Sequence, residues 1–155
     1  MRQLILDTNL LILLTLGVLN PNLILKHKRS QIFTVEDFDL LRNFVELNYE
    51  KIILTPNIVT ETSNLLAQIG DPEKSIILHK FAEIIDKYNE TYLPSKLAVK
   101  SEYFYRLGLT DSLILTMLKG DLELLTVDSK LHIQAVSLGF KAVNFNHLRQ
   151  DSLLS

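Results

Sequence analysis

The chain contains no cysteine. Disulfides, iron–sulfur clusters, thiolate zinc sites and cysteine nucleophiles are thereby excluded together, and the absence fits a reducing cytoplasm. Glycine is scarce. The five residues Gly17, Gly70, Gly108, Gly120 and Gly139 are too dispersed for a phosphate loop or a dinucleotide turn, and they read mostly as helix ends. No Gly-x-Ser-x-Gly elbow occurs, which argues against a serine hydrolase. The four histidines (His27, His79, His132, His147) lack the spacing of metal-ligand pairs. No repeat, low-complexity tract or linker interrupts the chain. The apolar run Leu10–Leu19 is too short to span a bilayer, follows Asp7 and Asn9 closely, and has no small-residue cleavage pattern behind it. A cytoplasmic protein with no membrane segment is expected.

What is present fits one globular domain. The chain has 155 residues, 47% hydrophobic and 22% charged, enough to bury roughly two-thirds of the surface of its unfolded form. A single domain over 1–150 with a short tail at 151–155 is expected. The net charge of −2 carries no global signature of nucleic-acid binding. A nuclease stays compatible with it, because metal at an acidic site can meet phosphate locally.

Apolar runs alternate with helical patterns. Strands are predicted at Gln3–Leu6, Lys51–Leu54, Leu122–Val127 and Lys141–Phe145, with a short one at Tyr92–Pro94. Helices are predicted from Asp7 to about Gly17, from a Thr34 cap, from Thr55-Pro56 to Gly70, and from Asp71-Pro72. Further helices are predicted over Ser95–Gly108, Thr110–Gly120 and from Asp128 to Gly139. Strands separated by helices imply an α/β fold: a three-layer α/β/α sandwich around a mostly parallel sheet of four or five strands.

In such sheets ligands bind beyond the carboxyl ends of the strands, where strand order reverses. The first strand ends at Asp7 and a late one at Asp128, both in apolar settings where an unpaired charge is costly. Asp111 opens a helix, and Glu61 lies two turns into the helix after the second strand. Taken singly, Asp111 reads as a residue favoured by a helix dipole, Asp128 as an N-cap and Glu61 as a solvated helix residue. Taken together, four carboxylates aimed at one crevice repel each other unless a cation sits between them, and hard oxygen ligands select Mg²⁺ or Mn²⁺.

Four segments carry a resemblance in order along the chain. Leu4-Ile5-Leu6-Asp7-Thr8-Asn9 resembles the opening motif of the PIN-domain ribonucleases. Leu54-Thr55-Pro56 through Glu61 is similar to their second motif, Leu109-Thr110-Asp111-Ser112-Leu113-Ile114 to their third, and Leu125-Thr126-Val127-Asp128-Ser129-Lys130-Leu131 to their fourth. The resemblance implies a PIN-like fold and a metal-dependent nuclease acting on RNA, often the toxin of a toxin–antitoxin pair and often a homodimer. It implies that Asp7, Glu61, Asp111 and Asp128 hold Mg²⁺ or Mn²⁺ or its waters. Thr126 would then steady the acidic cluster, and Thr8 and Asn9 would support the strand-end turn. The insertion around Pro21–Gln31 lies outside the family core, and Ser129 stands near where many members add another acid.

Lys26, Lys28 and Arg29 form the densest positive patch, expected as an exposed loop with a possible RNA contact. Tyr103, Phe104 and Tyr105 beside Arg106 suit core or dimer packing, with base stacking as the alternative. Two rivals to the nuclease are a PIN-fold binding or interaction module with weak or no catalysis, and a phospho-aspartate phosphatase or receiver. Against the last, Asn9 stands where the phosphatase type wants a second Asp. Crowding predicts that Asp7→Asn abolishes cleavage and leaves the fold intact or more stable.

Overall fold

The computed structural model describes residues 2–154. Chain order runs β1 (Gln3–Leu6), α1 (Thr8–Leu19), α2 (Asn22–Lys26), α3 (Val35–Asn48), β2 (Lys51–Leu54), α4 (Pro56–Leu66) and α5 (Glu73–Lys87). It continues with β3 (Asn89–Glu90), α6 (Ser95–Val99), α7 (Phe104–Leu107), α8 (Leu109–Met117), β4 (Leu122–Thr126), α9 (Ser129–Ser137), β5 (Ala142–Asn144) and α10 (Phe145–Leu154). Residues 151–154 therefore continue the last helix.

The five strands form one sheet in the order β3-β2-β1-β4-β5, and every pairing is parallel. From β1 the chain steps outward through β2 to β3, then returns to the other side of β1 as β4. Right-handed crossovers then put α1–α5 on one face and α6–α9 on the other. This is a three-layer α/β/α sandwich. Its reversal of direction lies between β1 and β4, whose register pairs Leu6 with Leu125. The residues that follow those two strands share one crevice.

The run at Leu10–Leu19 is a core helix. Every residue of α1 from Leu10 to Gly17 is buried, and α3, α4 and α5 pack around it. A helix apolar on all sides belongs inside, and among the described residues no helix is long and apolar enough to cross a membrane. Gly17 is not a helix end. It lies within α1, where an added Cβ would stand 2.1 Å from the Phe38 ring of α3, so the close approach of the two helices requires glycine.

Other expectations needed correction. The short strand is Asn89–Glu90, on the sheet edge beside Ile53 and Leu54, and not Tyr92–Pro94. The helix expected over Ser95–Gly108 breaks into α6 and α7 at a turn where the Ser101 hydroxyl accepts from the Tyr103 N–H. α4 stops at Leu66, short of Gly70, and Ile76 of α5 is exposed. His27 is fully buried inside the expected basic loop. Its Nε2 meets the Leu66 carbonyl at 3.0 Å and its Nδ1 accepts from the Arg29 N–H, which satisfies a neutral ring.

Candidate active site

Asp7 follows β1 and caps α1. Its carboxylate is 7% exposed and takes three donors: the Leu10 N–H at 2.9 Å on Oδ1, and the Val127 N–H at 2.8 Å and the Thr126 hydroxyl on Oδ2. One side chain thus closes the start of α1 and ties it to the end of β4. The Thr126 hydroxyl in turn accepts from the Asp128 N–H at 2.9 Å. Asp128 caps α9, taking the Lys130 and Leu131 N–H groups on Oδ1. Its Oδ2 accepts no hydrogen bond from any described residue.

Glu61 reaches the same crevice from α4. It is exposed yet held from both sides, with the Thr8 hydroxyl donating at 3.1 Å and the Thr110 hydroxyl at 2.5 Å. α1, α4 and α8 are thereby linked at their site ends. Asp111 sits in the first turn of α8, and its carboxylate receives no hydrogen bond from any described residue. The four predicted acids therefore meet, from four elements on both faces of the sheet. Thr8 and Thr126 bond to them directly. Asn9 does not: its side chain is exposed and takes no hydrogen bond from any described residue, and the Asp7 carboxylate caps the turn.

The electrostatics follow from this crowding. Burial, then the charges of Asp128, Asp7 and Glu61, push the Asp111 carboxyl up to about 7. Burial also raises Asp7, with Asp128 adding to it and the three donors opposing. Among the described residues no ion pair involves any of the four acids. The helix N-termini at Asp7, Asp111 and Asp128 add a favourable dipole to the site.

The donor set is hard oxygen throughout, which suits Mg²⁺ or Mn²⁺. Among the described residues no group of three or more acids or histidines is placed to hold a metal ion by itself. The reason is visible: Asp7 and Asp128 each turn oxygens inward to cap a helix. An open crevice with few free carboxylate oxygens matches Mg²⁺, which keeps several waters and takes one or two carboxylates. The residues present fit such an ion, with Asp111 and the free oxygen of Asp128 nearest to hand.

The basic trio lies elsewhere. Lys26 pairs with Glu73, and Arg29 bonds to Gln68 at 2.6 Å, both past the end of α4 and beyond Glu61. Lys28 is exposed. Lys26 and Arg29 thereby fasten the α2 segment to the α4–α5 connection and the start of α5, so their charge is partly spent on the fold. Of the aromatic trio, Tyr103 packs against the core and Tyr105 is exposed.

No family model matches this chain, and no curated protein aligns with it significantly. The geometry also adds residues that sequence reasoning passed over. Thr110 was read only as a helix start, though it orients Glu61. The Val127 N–H holds Asp7, and no side-chain pattern announces a backbone donor.

Proposed function

We propose that this protein is a divalent-metal-dependent endoribonuclease of the PIN type. One observation carries the reading. At the switch point of a parallel sheet, Asp111 faces three more carboxylates, and among the described residues no cationic side chain pairs with any of them. Natural proteins rarely leave buried charge uncompensated unless a metal or substrate completes it. The ordered motif resemblance supports RNA as the substrate, and with it a toxin role, a cognate antitoxin and a homodimer.

Mg²⁺ or Mn²⁺ bound here would neutralise charge building on the phosphoryl oxygens and acidify the attacking water. The chain's own part is positioning. Asp111 and Asp128 would hold the ion. Glu61, fixed by Thr8 and Thr110, would orient water around it, and Asp7 would keep α1 and β4 in register beneath the site. Thr126 supports both Asp7 and Asp128, so its hydroxyl fixes the spacing of the two strand-end acids.

A second reading has an observation in its favour. Asp7 spends both carboxylate oxygens on hydrogen bonds to the fold, as it would in a binding module with weak or no catalysis. The two readings separate in one assay. A panel of structured and single-stranded RNAs is incubated with Mn²⁺, Mg²⁺ or chelator, using wild type and Asp111→Asn. The nuclease reading expects metal-dependent cutting that falls at least ~100-fold in the variant, since even outer partners of a metal site cost 10–100-fold. Equal cutting by both proteins, or none by wild type, would favour the module.

A further inference from the structure

Beside the acidic crevice lies a second, open groove of about 380 Å³ that shares Glu61 and Thr110 with it. Its walls are the first turns of α4, with Pro56 and Asn57, and the segment carrying Tyr92 and Leu93 ahead of α6. The volume falls within the ~300–1,000 Å³ of small-molecule sites.

Three features indicate what it takes. Apart from Glu61 at the shared rim, no charged side chain lines it, so it is unsuited to a phosphate and suited to a neutral planar group. Tyr92 is 72% exposed, and its ring is free to meet a ligand face. The Asn57 amide takes no hydrogen bond from any described residue, which leaves both a donor and an acceptor for the groove.

We propose that this groove is a base-reading subsite, in which an unstacked adenine of the substrate lies against Tyr92 and presents its N6–H and N7 to Asn57. The inference rests on the nuclease reading, since continuity with the acidic crevice sets the base beside the phosphodiester to be cut. An aromatic ring stacks on any base, so Tyr92 supplies affinity and the paired amide supplies choice. An Asn amide matches the adjacent donor and acceptor of adenine in two hydrogen bonds. The base must leave its helix to enter, which excludes a paired nucleotide at that position.

The test uses full-length Asp111→Asn, which removes cleavage, with fluorescein-labelled eight-nucleotide oligo(A), oligo(U) and oligo(C) RNAs read by anisotropy. Oligo(A) should bind most tightly. Adding Tyr92→Ala should weaken all three by on the order of tenfold, and Tyr92→Phe should restore them. Adding Asn57→Leu, which removes the donor and the acceptor without adding charge, should erase the preference for oligo(A) and leave oligo(U) binding unchanged. Equal binding of the three RNAs by the parent, no binding at all, or no effect of Tyr92→Ala overturns the subsite. Metal-dependent cleavage by the wild type, measured in parallel, separates the two ideas. Cutting that ignores Tyr92 and Asn57 ends the subsite alone, and base-selective binding without cutting ends the nuclease alone.

Discussion

A buried carboxylate at one end of the sheet and a half-buried one at the other are handled in opposite ways. At the amino end, Glu123 of β4 is 7% exposed and takes Arg2 through two nitrogens and the Tyr49 hydroxyl at 2.7 Å, with the Arg2 guanidinium stacked on the Tyr49 ring. Burial pushes Glu123 up, but the hydrogen bonds from Arg2 and Tyr49 and the charge of Arg2 outweigh it and hold it low. At the carboxyl end Asp111 has no such partners and rises to about 7. The fold can neutralise a buried acid where it needs only a clasp. It leaves the carboxyl end uncompensated, and that difference is the physical argument for an external cation.

The comparison can be broken most sharply between two acids of the site itself. Asp7→Asn removes a charge but sets an amide NH₂ against a backbone N–H of Leu10 or Val127, so it does not simply relieve repulsion. It should be less stable than Asp111→Asn by about 1–3 kcal/mol, the cost of an unsatisfied buried donor. Denaturant midpoints of the two variants check this. Equal stability would mean that Asp7's bonds to the two backbone donors contribute little.

Next in size, Glu123→Gln should cost about 1–2 kcal/mol at pH 7 through the loss of its charged bonds. A lowered folded pKa stabilises above the unfolded value and is lost as pH falls through the folded one. The gap between wild type and variant should therefore close as pH falls below the ordinary carboxylate range. Opposite in sign is the mirror effect at Asp111 in metal-free protein. A raised folded pKa stabilises below the unfolded value and is lost as pH rises, here between about 4 and about 7. Asp111→Asn should thus gain on wild type across that window, by up to about 4 kcal/mol at its upper end, read as a rise in Tm. A gain that shrinks as pH rises would contradict the crowding.

Much of this was legible from residue types alone. β1, β2 and the start of β4 stand where their apolar runs lie, because central parallel strands are buried on both faces. The acids at their ends could be read because a charge closing an apolar strand needs a reason. β3 was misplaced because Asn89-Glu90 has no apolar signal, and its strand character comes only from pairing with Ile53 and Leu54. His27 was hidden among Lys26, Lys28 and Arg29, since its burial depends on the Leu66 carbonyl, 39 residues away. Thr110 and the Val127 N–H act through tertiary contacts of the same kind. Asn9 differs from Thr8: its side chain is exposed, and the Asp7 carboxylate caps the turn beside it.

The most direct measurement is calorimetric titration of Mn²⁺ into metal-free wild type and into Asp111→Asn at pH 7.5. The account predicts saturable binding of Mn²⁺ to wild type and its loss, or a tenfold or greater weakening, in the variant. Mn²⁺ binding of equal strength to both proteins, or to neither, would contradict the claim that the four acids form a cation site.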